Sequence, residues 1–79
     1  MKLPRDVSGA DLIQVLCKHY GYRHVHQVGS HVILETSHPT HHRIAVPQHS
    51  SLRLGTMNAI LRAVAQVQGV DKRSIAAHL

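Results

Sequence analysis

The chain has 79 residues, nine Lys and Arg against four Asp and Glu, and a formal net charge of +5 before any of its nine His is protonated. This length predicts one small domain over residues 1–79, and the positive surplus favours a polyanion such as RNA, DNA or an acidic protein as partner. The lone Cys17 excludes an internal disulfide, and the lack of a long apolar run or a secretory signal predicts a cytoplasmic protein without a membrane span.

The first predicted element is a helix over residues 8–20. Ser8 and Asp11 have the spacing of a capping pair, in which each side chain binds the backbone N–H of the other residue. Gly21 follows as the expected terminator. The apolar residues that recur at helical spacing on one face are Leu12, Ile13, Leu16, Cys17 and Tyr20. Because Cys17 belongs to this face, we expect it to lie in the core rather than to act as a nucleophile.

Three strands are predicted next, over residues 22–28, 31–36 and 41–46, with turns at 29–30 and 37–40. The second and third strands alternate with a period of two, so one face packs against the helices and the other faces outward. The inward residues are Val32, Leu34, Ile44 and Val46. The outward residues are His31, Ile33, Glu35, Arg43 and Ala45. The isoleucine of the outward set would be exposed unless a partner covers it.

A second long helix is predicted after the loop that follows Pro47, with Thr56 as its N-cap and Gly69 as its end. Its apolar stripe consists of Met57, Ile60, Leu61 and Val64, continued by Val67. Asp71 then caps a short final helix that runs through His78. The order α-β-β-β-α with a short extra C-terminal helix predicts an α+β fold of one sheet and one helical layer.

The Gly29-Ser30-His31 segment carries the main indication of chemistry, because a Gly-Ser turn presents an imidazole at the head of a strand. Strand scission in RNA needs a proton acceptor, a proton donor and cations near the phosphate. Many histidines and arginines with few carboxylates favour a metal-independent ribonuclease over a two-metal nuclease. His31 is the candidate acid or base, Arg43 a candidate phosphate ligand and His26 a possible second proton carrier. The alternative is that His31 is a solvent-facing histidine without a task.

Further basic residues are candidate phosphate contacts, although each one alone is usually a solvated surface charge. The proposed RNA-binding set is Lys2, Arg5, Arg23, His26, Ser30 and Arg43. Additional candidates among the basic residues are Lys18, Arg53 and Arg62. Since Tyr20 and Tyr22 are the only aromatic Phe, Tyr or Trp residues, recognition by shape and backbone fits better than base stacking.

Four histidines, at positions 38, 41, 42 and 49, form a group that requires separate interpretation. Their spacing matches no structural zinc pattern and they have no cysteine partners, so no metal site is expected. We expect instead a weakly cationic rim that strengthens RNA binding as the pH falls from about 7.5 to 6, near the unperturbed histidine pKa.

Five blocks in order along the chain resemble the HicA (YcfA-like) family of mRNA interferase toxins, partners of HicB antitoxins. The blocks are residues 2–5, Gly21-Tyr22, Gly29-Ser30-His31, residues 46–49 and residues 55–61. The resemblance implies a fold like that of double-stranded-RNA-binding domains, an endoribonuclease that cuts mRNA, and His31 as its catalytic residue. It also implies a HicB-like antitoxin that covers the face bearing His31, where Ile33 would contact it. Val28 differs from the basic residue that many members have before the Gly-Ser-His block, and the density of histidines is also unusual.

Two alternatives from other functional classes stay open. One is a non-catalytic RNA-binding module of the same fold, in which His31 only contacts phosphate. The other is a structural subunit whose basic surface binds an acidic protein. The enzyme and the RNA-binding module both predict salt-sensitive RNA binding. Only the enzyme predicts that His31→Ala abolishes cleavage while binding and fold survive.

Overall fold

The computed structural model describes residues 6–79, so the predicted RNA contacts Lys2 and Arg5 lie outside the described residues. The elements follow the predicted α-β-β-β-α order and end with a further short helix. They are α1 (Gly9–His19), β1 (Arg23–Val28), β2 (His31–Thr36), β3 (His42–Pro47), α2 (Leu54–Gln68) and α3 (Lys72–Ala76). The first and third strands each begin one residue later than predicted, and the third extends through Pro47. The α+β fold class is therefore confirmed.

The three strands form one antiparallel sheet with β2 in the centre. Val32 and Leu34 of β2 and Val46 of β3 are fully buried against the helices, as the period-two pattern predicted. Ile33 faces outward and is half-buried. All six residues of β1 are exposed, because α1 and α2 contact β3 at the other edge of the sheet. The outer face and the β1 edge are thus open to a ligand or partner.

The first helix begins as predicted. The backbone N–H of Asp11 donates to Ser8 Oγ at 3.0 Å, and the backbone N–H of Ser8 donates to Asp11 Oδ2 at 3.4 Å, which completes the capping box. Gly9 brings this first turn close to the end of β3, since its backbone N–H donates to the carbonyl of His49 at 2.8 Å. A Cβ at Gly9 would overlap the carbonyl oxygen of Pro47, so only glycine permits this approach.

The second helix begins earlier than predicted, and the prediction that Thr56 is its N-cap is wrong. Arg53 is the N-cap residue and Leu54 the first helical residue. The reason is that the backbone N–H of Met57 already donates to the carbonyl of Arg53 at 2.9 Å, which closes the first helical turn ahead of Thr56. Gly69 ends the helix in the left-handed conformation, with φ at 68°, as predicted.

The final helix is shorter than predicted. Asp71 caps it by accepting a hydrogen bond from the backbone N–H of Arg73 at 2.8 Å, but the helix ends at Ala76 rather than His78. Ile75 is fully buried in the core. None of the helices among residues 6–79 has the length and hydropathy that crossing a bilayer requires.

Candidate functional site

His31 lies at the head of β2, directly after a tight hairpin turn. Val28 of β1 pairs with His31, so Gly29 and Ser30 form the whole loop. Gly29 has a φ of 58°, and a two-residue hairpin with a left-handed glycine at its first position has the twist that antiparallel strands require. The His31 side chain is exposed on the outer face, as the alternation of β2 predicted.

The backbone of this turn is bound by Gln27 of β1 and by Gln48, which directly follows β3. The backbone N–H of Gln48 donates to the carbonyl of Ser30 at 2.6 Å, which extends the pairing between β2 and β3 beyond Pro47. Gln27 Nε2 donates to the carbonyl of Gly29 at 3.1 Å and to Gln48 Oε1 at 3.2 Å. Sequence reasoning did not predict these contacts, although Gln27 precedes the turn and Gln48 belongs to the block of residues 46–49. Their contacts hold the turn that presents His31.

The nearest outer-face neighbours of His31 are apolar. Val28 and Pro47 pair with it from the two sides, and 60% of Val28 is exposed. The next row across the sheet contains His26, paired with Ile33. His26 is therefore the diagonal neighbour of His31 on the same face, with Cα atoms about 7–8 Å apart. The structure brings these two predicted site residues together.

A second polar cluster lies at the other end of the outer face. Glu35 Oε2 accepts a hydrogen bond from His41 Nε2 at 2.7 Å and lies 3.5 Å from Arg43 Nε. Arg23 pairs with Glu35 from the other side. The hydrogen bond from His41, and then the charges of Arg43, His41 and Arg23, lower the pKa of Glu35 below its usual value. The cluster is a cationic row around one ionised carboxylate.

This row is distant from the proposed catalytic residue. Arg43 lies four residues from Pro47 along β3, and Pro47 is the residue that pairs with His31. At about 3.3 Å per residue, Arg43 is roughly 13 Å from the position beside His31. Arg43 lies on the adjacent strand as predicted, but the structure does not bring it together with His31.

A cleft opens on the far side of Pro47. Its volume is about 390 Å³, and its lining residues are Pro47, His49, Ser51, Leu52, Arg53 and Thr56. The helix α2 begins at this cleft without a side-chain hydrogen bond to its cap and without an acidic residue in its first turn. Sequence reasoning named Arg53 as a phosphate contact and His49 as one of the grouped histidines, but it did not predict that they line one cleft.

The grouped histidines do not share one site. His41 binds Glu35, whereas His42 Nδ1 and the Tyr22 hydroxyl form a hydrogen bond of 2.7 Å. Burial, and then the nearby His41, lower the pKa of His42. His49 lies in the separate cleft beside Pro47. Among residues 6–79, no three His, Cys, Asp or Glu side chains are arranged to hold a metal ion.

The remaining candidates lie away from the outer face. Lys18 and Arg62 are located on helices α1 and α2, and both are exposed. Cys17 is partly buried and packs against the hydrophobic core, as predicted. Burial raises the pKa of its thiol, which disfavours the nucleophilic thiolate.

Comparison with known protein families agrees with this order of elements. The family model for the HicA toxin of bacterial toxin–antitoxin systems matches residues 9–65, which include α1, all three strands and most of α2. The chain belongs to this toxin family. Membership of the HicA family implies an antitoxin as partner. Neither the search of curated proteins nor that of solved structures returned a match.

Proposed function

We propose that this toxin is a metal-independent endoribonuclease that cleaves mRNA, with His31 as its acid/base group, and that residues 1–79 are one toxin domain. The observation that carries the proposal is the position of His31: an exposed imidazole directly after a turn whose backbone is bound by Gln27 and Gln48. A proton-transfer group needs this combination of access to substrate and fixed backbone.

In the proposed reaction, neutral His31 accepts the proton of a ribose 2′-hydroxyl as that oxygen attacks the adjacent phosphorus. The O2′–P bond forms and the P–O5′ bond breaks, which leaves a 2′,3′-cyclic phosphate and a 5′-hydroxyl. The leaving oxygen takes a proton from His26 or from water. His26 is suited to this role because it is the diagonal neighbour of His31 on the same face. This reaction requires RNA as substrate, because DNA lacks the 2′-hydroxyl that attacks the phosphorus.

The acidic residues do not favour a two-metal mechanism. The chain has four carboxylates, and Glu35 is the one that lies in the sheet. Its carboxylate already binds His41 and lies beside Arg43. A pair of metal ions bound to a phosphate usually needs several free carboxylate ligands. Proton transfer by histidine fits this set of side chains better.

The outer face is also the proposed RNA-binding surface. Arg23 and Arg43 would contact the phosphate backbone at one end of the sheet, and Ser30 and His26 would contact it near His31. Lys2 and Arg5 complete the proposed RNA-binding set. Binding through phosphates should depend strongly on salt. Because mRNA is the proposed substrate, the toxin would act in the cytoplasm.

A HicB-like antitoxin is the proposed protein partner, in a heteromeric complex. Val28, which pairs with His31, and the half-buried Ile33, which pairs with His26, offer apolar contacts on the outer face. An antitoxin that covers these residues would remove His31 from RNA. The same binding event would bury apolar surface that the isolated toxin exposes.

The test compares induced expression of the wild type, His31→Ala and His24→Ala. His24 is a matched control because it is exposed in the same sheet but pairs with Leu34, whose side chain faces the helices. We expect growth arrest and mRNA loss with the wild type and His24→Ala but not with His31→Ala, at equal soluble yield. Purified wild type should cleave RNA in the presence of EDTA.

Other outcomes distinguish the alternatives. If all three proteins are soluble and none cleaves RNA, the catalytic proposal is wrong. Salt-sensitive RNA binding would then support the non-catalytic RNA-binding module. Absence of RNA binding would support a structural subunit that binds an acidic protein.

A further inference from the structure

We propose that the cleft beside Pro47 binds the nucleotide next to the bond that is cleaved at His31, holding its phosphate and ribose. This inference rests on the proposed ribonuclease function, which it extends to a second subsite. The proposed site is distinct from the cationic row at Glu35, because the row lies roughly 13 Å from His31 along the sheet.

The position of the cleft follows from the strand register. Pro47 is the residue of β3 that pairs with His31 of β2, and it is also a wall of the cleft. The Cα atoms of paired residues in antiparallel strands lie about 4.5–5.5 Å apart. A strand of RNA whose reacting phosphate lies at His31 can therefore place its next nucleotide across Pro47. The volume of about 390 Å³ is within the range of small-ligand sites.

The side chains of the cleft suit a phosphate ester of a sugar. Arg53 supplies a planar guanidinium that can donate two hydrogen bonds to one phosphate. The His49 imidazole and the hydroxyls of Ser51 and Thr56 supply further hydrogen-bonding groups for phosphate and ribose. None of the lining residues named above is acidic, so no carboxylate among them would repel the ligand.

The segment that forms the cleft is held in place by the rest of the fold. Three backbone hydrogen bonds anchor it: Gln48 N–H to the Ser30 carbonyl at 2.6 Å, Gly9 N–H to the His49 carbonyl at 2.8 Å, and Leu52 N–H to the Val7 carbonyl at 2.8 Å. The first of these bonds joins the cleft segment to the turn that presents His31. The two proposed subsites are thus connected through one short stretch of backbone, which keeps their spacing constant.

The first experiment maps binding of adenosine 3′-monophosphate, and separately of inorganic phosphate, on the ¹⁵N-labelled full chain by NMR. We expect the largest amide shifts at residues 49–56. Arg53→Gln should weaken binding of the nucleotide about tenfold, because it removes a charge-assisted hydrogen bond. Arg73→Gln is the matched control. It removes the same guanidinium charge, but Arg73 lies on α3, where it is paired with Asp71, and it does not line the cleft, so binding should change less than about twofold.

The second experiment measures RNA cleavage by the same variants. Arg53→Gln should raise KM several-fold and leave kcat within about twofold, whereas Arg73→Gln should leave both near the wild-type values. Equal effects of the two variants, or nucleotide shifts that map to Arg23 and Arg43, would overturn the cleft subsite while the ribonuclease proposal stands. If the wild type cleaves no RNA, the ribonuclease proposal fails, and the NMR map alone decides whether the cleft binds nucleotide.

Discussion

Replacing Gly9 by alanine adds a methyl group where the first turn of α1 crosses the end of β3. The new Cβ would overlap the carbonyl oxygen of Pro47 and lie 2.9 Å from both the Pro47 carbonyl carbon and Gln48 Cα. All three are backbone atoms, so no change of rotamer can relieve the overlap. Either α1 or the segment that follows β3 must move.

The cost is set by three effects of different size. Overpacking against a rigid backbone costs typically about 1–3 kcal/mol. Movement of the turn also weakens the hydrogen bond from Gly9 to the His49 carbonyl, at about 1 kcal/mol. The higher helix propensity of alanine offsets about 0.5–1 kcal/mol of this destabilisation. We therefore expect a net destabilisation of about 2 kcal/mol, which lowers Tm by roughly 10 °C in a small domain.

Gly55→Ala is the matched control. Gly55 also lies in the first turn of a helix, but a Cβ at this position would have no neighbouring atom within 4 Å, and the φ of Gly55 is not positive. This substitution should be neutral or stabilising by up to about 1 kcal/mol. Urea denaturation followed by circular dichroism measures both variants. Equal stability of Gly9→Ala and Gly55→Ala would refute the close-approach argument.

Three further predictions concern the polar contacts of the sheet. Glu35→Gln removes the carboxylate from the cationic row and should raise RNA affinity about two- to fivefold at fixed salt, as measured by filter binding. Unchanged affinity would contradict a role of the row in binding phosphate. Tyr22→Phe removes the hydrogen bond to the half-buried His42 and should lower the free energy of unfolding, measured by urea denaturation, by about 1 kcal/mol. If the variant is as stable as the wild type, this hydrogen bond contributes nothing to stability. Burial lowers the pKa of His42 in the folded protein, so the unfolded state binds the proton of this histidine more tightly. The free energy of unfolding should therefore be retained above about pH 6.5, the usual histidine pKa, and should decrease as the pH falls towards the pKa of His42 in the folded protein. In urea titrations between about pH 7.5 and pH 5, His42→Asn should reduce this loss of stability at low pH. Part of the loss should persist because the pKa of His19 is also lowered. If the pH dependence of stability is unchanged in this variant, His42 does not cause it.

Local patterns in the sequence predicted most of the secondary structure. The capping box of Ser8 and Asp11 needs only residues three apart, and the burial of Val32 and Leu34 follows from alternation within one strand. The start of α2 was predicted wrongly because Thr56 has the right side chain for a cap. The backbone hydrogen bond from the N–H of Met57 to the carbonyl of Arg53 begins the helix earlier, and side-chain preferences do not predict that hydrogen bond.

For the candidate site too, local sequence predicted some features, whereas others depend on how the strands pair. The Gly29-Ser30-His31 segment identifies the turn and its imidazole, and the family resemblance that names His31 also comes from short blocks of sequence. The distance from His31 to Arg43 depends on the register between strands, so sequence could place them on adjacent strands but not at opposite ends of the sheet. The binding of Gln27 and Gln48 to the turn depends on the same register.

The element order, the outward position of His31 and the toxin family all follow from the sequence alone, because each depends on residues close together in the chain. The meeting of His49 and Arg53 in one cleft, beside the residue that pairs with His31, follows only from the folded structure. That cleft forms where the end of β3, the start of α2 and the loop between them meet, and the close approach of Gly9 holds the end of β3 in position. Contacts between distant segments create this surface, so no local pattern could reveal it.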